Sequence, residues 1–260
     1  LYDSLCKKIT TVIHCGANVK HYGKYDAFYK SNYFPTSEYM FGYQGAKLIY
    51  DPLEIMIDTA HKYDLSIEAW INPYRVSQRN DFSLLAKNNI ALKWQNTSKL
   101  IVLDNGIYFN PCYNEVTDLI VKGVKEILLN YNVDSFCFDD YFYPTTDASF
   151  DAAAFAESGA TDRSAWRKEQ CNLMVQAMYN AVKQANPKVL FGISPQGTLS
   201  GNEKQSADVQ TWGQTAGYCD YLLPQLYFGF QNSTAPFAET AAFWAEQVTC
   251  PDVSLWIGIC

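Results

Sequence analysis

The sequence predicts an α/β fold, a (β/α)8 TIM barrel truncated at both ends, and three observations predict it. Strand-like segments alternate with amphipathic helical ones along the chain, no GxGxxG turn follows any strand, and strand after strand ends in polar residues. Alternation without a phosphate-gripping turn favours a barrel over a dinucleotide-binding sheet. At 260 residues the chain suits one domain, 1–260, with ample length to bury a core.

The elements follow in order. A first strand is expected over residues 10–15. A helix over 51–63 takes Asp51 as N-cap and Pro52 at its first position, with Leu53, Met56, Ile57 and Ala60 on one face. The strand 66–71 runs into the loop Asn72-Pro73-Tyr74-Arg75. A helix over 114–131 turns Val116, Ile120, Val124, Ile127 and Leu128 inward and delivers the chain to an acidic strand. The next long helix, 164–184, is expected to bury Leu173, Met174, Ala177, Met178 and Ala181. Strands recur at 189–194, 221–226 and 254–260, with helices over 207–215 and 236–248 between them. Six strands are legible. The opening residues read as helix and the last as mid-strand, so about strands 2 to 7 of the eight are expected, as an incomplete barrel.

The acidic strand carries the chemistry. The segment Val133-Asp134-Ser135-Phe136-Cys137-Phe138-Asp139-Asp140-Tyr141-Phe142-Tyr143-Pro144 ends in adjacent carboxylates, an aromatic run and a proline. In parallel α/β folds the C-terminal strand ends face the active site. Alternation puts Ser135, Cys137, Asp139 and Tyr141 on one face and Phe136, Phe138, Asp140 and Phe142 on the other. Outer helices demand the apolar set, so Asp139 is expected to point into the barrel. Asp140, where strand gives way to loop, can turn over the mouth. The same parity turns Glu68, Trp70 and Asn72, then Ser194 and Gln196, then Gln225 and Tyr227, toward the interior. A structural alternative stands beside this reading: one Asp caps the next loop and the other pairs with a buried cation.

Composition excludes several classes. A net charge of −7 argues against a phosphate-backbone partner, so no nucleic acid is expected. No apolar run approaches the length of a transmembrane segment, and Leu1-Tyr2-Asp3-Ser4-Leu5 does not read as a signal peptide. The eight cysteines show no CxxC or metal-ligand spacing and are expected as free thiols. His14, His21 and His61 form no HxH or HExxH pattern, so no metal and no cofactor are expected.

Several strand ends carry a family resemblance. The segments AWINPYRVS (69–77), FDDYFYP (138–144), FGISPQG (191–197) and PQLYF (224–228) resemble the bacterial glycosyl hydrolase-like family 10. So do DAFYKSNYFPTSEYM (26–40), YDPLEIMIDTAHK (50–62), TDRSAWRKEQCN (161–172) and LWIGI (255–259), in family order almost end to end. The resemblance implies a TIM-barrel glycoside hydrolase at the cell envelope or outside the cell, with a polysaccharide as partner. A branch of that family cleaves peptidoglycan strands stripped of stem peptides. Ser135 and Cys137 stand where the family usually has Gly and often His, and Cys112 where it usually has Gly. The family's short basic motif reads differently over residues 14–25, so its role is not assigned to Lys20 or His21.

Two-carboxylate glycosidases hold their acids about 5–5.5 Å apart for retention or roughly 6.5–9.5 Å for inversion. Glu68 is the other strand-borne acid facing inward, but it lies early on its strand and reads as a deep structural partner. Adjacent acids suit substrate-assisted hydrolysis better: the sugar's N-acetyl group attacks, one carboxylate orients it, and its neighbour protonates the leaving oxygen. Asp139 and Asp140 are the expected catalytic pair. Trp70, Asn72, Tyr74, Arg75, Tyr141, Ser194, Gln225 and Tyr227 are the expected substrate contacts. Trp166 reads as core, and Arg167 as a salt-bridge partner of the acidic strand end. A glycan-binding barrel without catalysis and a metal-dependent hydrolase stay open as alternatives.

Overall fold

The structure is a computed structural model that describes residues 11–14 and 26–259, the first four as backbone. The expectations for residues 1–10, Lys20, His21, Cys6, Cys15 and Cys260 lie outside the described residues.

In chain order the elements begin with β1 (Thr11–His14), the short α1 (Glu38–Phe41), α2 (Pro52–Lys62), β2 (Ser66–Ile71) and β3 (Arg75–Ser77). After them come α3 (Ile90–Trp94), β4 (Leu100–Leu103), β5 (Gly106–Phe109), α4 (Asn114–Asn130) and β6 (Ser135–Phe138). The remainder is α5 (Ala152–Ser158), α6 (Arg163–Ala185), β7 (Leu190–Ile193), α7 (Leu199–Lys204), α8 (Val209–Gln214), β8 (Tyr221–Leu222), α9 (Phe237–Gln247) and β9 (Ser254–Leu255).

Six strands form one parallel sheet in the order β1-β2-β6-β7-β8-β9. Strand order never reverses, whereas a doubly wound sheet has a switch point. The sheet also curls. Tyr221 on β8 hydrogen-bonds Glu68 on β2, three strand spacings away, roughly 14 Å if the sheet were flat. Two side chains from one face meet over that span only if the face is concave.

Local sequence explains the elements that frame the sheet. Asp51 caps α2, its Oδ1 accepting from Leu53 N at 3.1 Å and Glu54 N at 3.3 Å, with Pro52 in the first turn. Leu53, Ile57 and Ala60 are buried as their spacing predicts. Val116, Ile120, Val124 and Ile127 of α4 pack in one core with Phe136, Phe138, Phe191 and Ile193, the outward face of the sheet. On α6 the buried stripe runs through Cys171, Met174, Val175, Met178 and Val182. Leu173 is 50 % exposed, a correction: it lies a sixth of a turn or more off that stripe, so its apolar character does not bury it.

The sequence reading also lacks a three-stranded antiparallel sheet, β3-β5-β4, inserted between β2 and α4. Its signal is present: Asp104-Asn105-Gly106 separates two apolar runs, a hairpin pattern, and Gly106 adopts φ +154. Cys112, Cys137, Cys171, Cys219 and Cys250 carry free thiols. No helix among the described residues is long and apolar enough to cross a membrane.

Candidate active site

The site is built at the C-terminal ends of β2, β6, β7 and β8. Ladder registers bring Glu68 opposite Ser135, Trp70 opposite Cys137, and Gly192 opposite both Cys137 and Tyr221. These residues share the concave face. Asp139 follows β6 by one residue and keeps its parity; its N donates to Ile71 O at 2.8 Å and its side chain is fully buried.

Asp139 is held by two donors. Trp70 Nε1 donates to Oδ2 at 2.9 Å, and Asp140 N donates to Oδ1 at 2.7 Å. Asp140, 7 % exposed, is held by two glutamines. Gln196 Nε2 donates to its Oδ2 at 2.8 Å, and Gln225 Nε2 donates to its Oδ1 at 3.0 Å. Both glutamines are fixed by backbone contacts. Asn202 Oδ1 accepts from Gln196 N while its Nδ2 donates to Gln196 O, locking that loop. Gln225 pairs with Gln196 and Gly258 as isolated parallel bridges, and its Nε2 also donates to Ser194 O at 3.1 Å. Gly197 permits the close approach, since a Cβ there would stand 2.4 Å from Gln225 O.

Burial raises Asp139 well above the ordinary carboxylate range, and the hydrogen bond to Asp140 and that residue's charge push it the same way. The Trp70 and Asp140 N–H groups pull back but do not win. Two like charges this close resist joint ionisation, which favours a proton on Asp139. Glu68, below Trp70 on the same face, is also raised by burial, against hydrogen bonds from Tyr221 and Ser135.

The aromatic run after Asp140 is anchored rather than loose. Gln205 Oε1 accepts from Phe142 N at 3.1 Å and Gln205 O from Tyr143 N at 3.0 Å. Arg167 does not reach the acidic pair, which corrects its expected role. Its Nε pairs with Asp151 Oδ2 at 2.5 Å, and its guanidinium donates to Thr145 O and Asp147 O. It braces the loop that follows the pair, with its charge over the Tyr143 ring.

The expected substrate contacts divide. Trp70, Ser194 and Gln225 stand on the concave face, where Trp70 and Gln225 hold the acids themselves. The buried Arg75 packs on Tyr141, the guanidinium carbon 4.5 Å from the ring centroid, with Tyr108 beside Arg75 in the ladder register. Tyr227 is 42 % exposed and lines a cleft of about 420 Å³ next to Phe230 and Phe237. Asn72 Oδ1 accepts from Arg75 N, three residues on, at 3.0 Å, a local side-chain-to-backbone bond that shapes the strand end. Tyr74 turns away from the site: its fully buried ring packs near Phe142 in the main core and has no face left for a ligand. Its position one residue before β3 puts it on the covered side of the insertion. Gln196 is the member that parity names but the expected contacts omit.

Comparisons with known proteins bear on the family and the fold. A glycosyl hydrolase, YngK of Bacillus subtilis, is 34 % identical over 256 residues, covering 90 % of this chain and 50 % of its own. The glycosyl hydrolase DigH of Escherichia coli K12 is 30 % identical over 259 residues, covering 90 % and 59 %. The chain thus spans about half the length of the curated relatives it matches. In fold it resembles the glycoside hydrolase domain of PgaB from Bordetella bronchiseptica, with TM-score 0.68 and 9 % identity over 98 % of this chain and 76 % of that one. Over residues 7–260 the sequence matches the family described as Glycosyl hydrolase-like 10, and the chain belongs to that family.

Proposed function

We propose that the chain is a glycoside hydrolase whose reacting groups are Asp139 and Asp140, acting on a glycan that contains N-acetylhexosamine, peptidoglycan strands first among them. The acidic pair carries this reading: two adjacent buried carboxyls, every oxygen held by an N–H donor, with the Asp139 carboxyl raised well above its ordinary range. Fixed donors around charged groups cost no reorganisation during reaction. The parallel sheet, the unreversed strand order and the concave inner face support an arc of an eight-stranded barrel as its frame.

Asp139, whose carboxyl is raised by burial, holds the proton that the reaction uses. Asp140, the less deeply buried of the two, touches the sugar; Asp139 behind it sets the charge of the pair. The acetamide oxygen of the substrate attacks the anomeric carbon while the glycosidic oxygen leaves with the proton. Water then opens the cyclic intermediate and returns a proton to the dyad. Tyr141, backed by the buried Arg75 guanidinium, and the exposed Tyr227 supply stacking faces for the sugar. Such a substrate lies at the cell envelope or outside the cell, which is where this reading puts the protein.

Incubation with purified peptidoglycan, with and without stem peptides and with and without its N-acetyl groups, tests the proposal. Release of glycan fragments from the N-acetylated, peptide-free strands alone is the expected result. Equal release from de-N-acetylated strands contradicts the substrate-assisted step. Binding without release by the unsubstituted chain replaces the enzyme by a glycan-binding barrel.

A further inference from the structure

Glu68 and Tyr221 take no part in the chemistry proposed above, yet they form the longest side-chain tie across the concave face. The Tyr221 hydroxyl contacts Glu68 Oε2, and Ser135 Oγ donates to that same oxygen at 3.2 Å. The phenol crosses β7 and β6 to get there. A Cβ on Gly192 would lie 2.0 Å from the Tyr221 ring, so the glycine on β7 is what lets the ring lie flat over the strand. On its other side the ring stacks on Trp256, centroids 3.9 Å apart at 18°.

The two tied strands are those that carry a donor to each member of the acidic pair. Two residues above Glu68, on the same face of β2, Trp70 donates to Asp139. Four residues beyond Tyr221, past the end of β8 and again on that face, Gln225 donates to Asp140. Trp70, Cys137, Tyr221 and Leu223 form one packed cluster between the tie and the acids. The spacing of β2 and β8 therefore sets the separation of the two donors.

We propose that Tyr221 and Glu68 are positioning residues for the acidic pair: their tie fixes the distance between β2 and β8, and so holds Trp70 on Asp139 and Gln225 on Asp140 at once. Hydrogen-bond counting gives the tie its charge state. The phenol has one proton and two acceptors in reach, Glu68 Oε2 and Phe136 O at 3.3 Å. A neutral Glu68 satisfies both, its own proton on Tyr221 and the phenol's on Phe136 O. It also leaves Oε1, which has no hydrogen-bond partner among the described residues, as an uncharged carbonyl. An ionised Glu68 would bury that oxygen charged and bare. Among the described residues, Ser135 on β6 and Tyr221 on β8 face Glu68, and neither is a cation.

The inference rests on the proposed glycosidase reading for its catalytic consequence but not for its structural one, and the test separates them. The Trp70 indole N–H, one of six tryptophan signals in an ¹⁵N spectrum, reports its hydrogen bond to Asp139 directly. Tyr221→Phe removes only the hydroxyl; Glu68→Met cuts the same tie from the other end, should the first variant fail to fold. Either is expected to move the Trp70 indole signal and its pH titration. On a glycan that the chain cleaves, either lowers kcat by up to about 100-fold, with KM little changed. Glu68→Gln keeps an uncharged partner whose amide N–H can donate to Tyr221, and is expected to retain the signal and most of kcat. A folded Tyr221→Phe or Glu68→Met with an unmoved Trp70 signal overturns the proposal. A moved signal in a chain that cleaves no glycan overturns the glycosidase reading and leaves the tie standing.

Discussion

The two faces of the parallel sheet are equally dry but are built on opposite rules. Outward, Ile67, Ala69, Phe136, Phe138, Phe191, Ile193 and Leu222 are apolar and share one core with the inner stripes of α4 and α6. Inward, Glu68, Ser135, Asp139, Ser194 and Gln225 are polar and buried to a similar degree. The outer face is stabilised by area, which any well-fitting apolar side chain supplies. The inner face depends on a linked set of hydrogen bonds in which each removed group strands its partner. Burial alone therefore does not separate fold from chemistry in this chain; the kind of satisfaction does. Substitutions on the two faces should fail in different ways.

The largest separation is expected at Asp140. Asp140→Asn should lower glycan cleavage by about 10²- to 10⁴-fold while cooperative unfolding persists, measured by product release beside a thermal melt. Phe138→Ala, on β6 and packed in the outer core, should do the reverse. It is expected to cost about 3–5 kcal/mol in urea unfolding and to leave the pH–rate profile of the folded fraction in place. Gly192→Ala tests the seam between the rules, because its Cβ would enter the Tyr221 ring. Overpacking of about 1–3 kcal/mol should appear together with a lowered rate, whereas a change in stability alone would put Gly192 with the outer face.

The smallest effect is the pH dependence of stability. Burial raises Glu68 and Asp139, so the folded chain keeps their protons over a range in which the unfolded chain has lost them. That contribution is complete below the ordinary carboxylate pKa and is lost as pH rises through the raised values. Glu68→Gln removes one of the two protons from this balance, so the urea midpoint should fall less steeply with rising pH than in the unsubstituted chain. An unchanged slope would mean that Glu68 ionises in the folded chain as it does in the unfolded one.

How much of this was legible in the sequence follows the same division. Period-2 alternation was enough to turn Asp139 inward and Phe136 and Phe138 outward, because one-sided burial fixes strand parity. Asp51 and Pro52 announced the start of α2, since capping is a local matter. Leu173 shows the limit of composition: on a helix 23 residues long, an apolar residue beside the stripe reads like one within it. The β3-β5-β4 insertion escaped because strand–helix alternation was expected throughout, although Asp104-Asn105-Gly106 marked its hairpin. In the site, strand parity named the right face but not the partners. That Trp70 and Gln225 hold the acids, that Tyr74 belongs to the core, and that Arg167 turns to Asp151 all depend on distances between segments far apart in sequence.

Whether the acidic pair is a reacting centre or a buried structural knot is decided by comparing binding and hydrolysis of one glycan, N-acetylated and free of peptide. The chains to compare are the unsubstituted one, Asp139→Asn and Asp140→Asn. For a reacting centre all three should bind, only the unsubstituted chain should cleave at full rate, and Asp140→Asn should be the slower variant. Cleavage at an undiminished rate by both variants would make the pair a structural knot and move the chemistry elsewhere in the molecule.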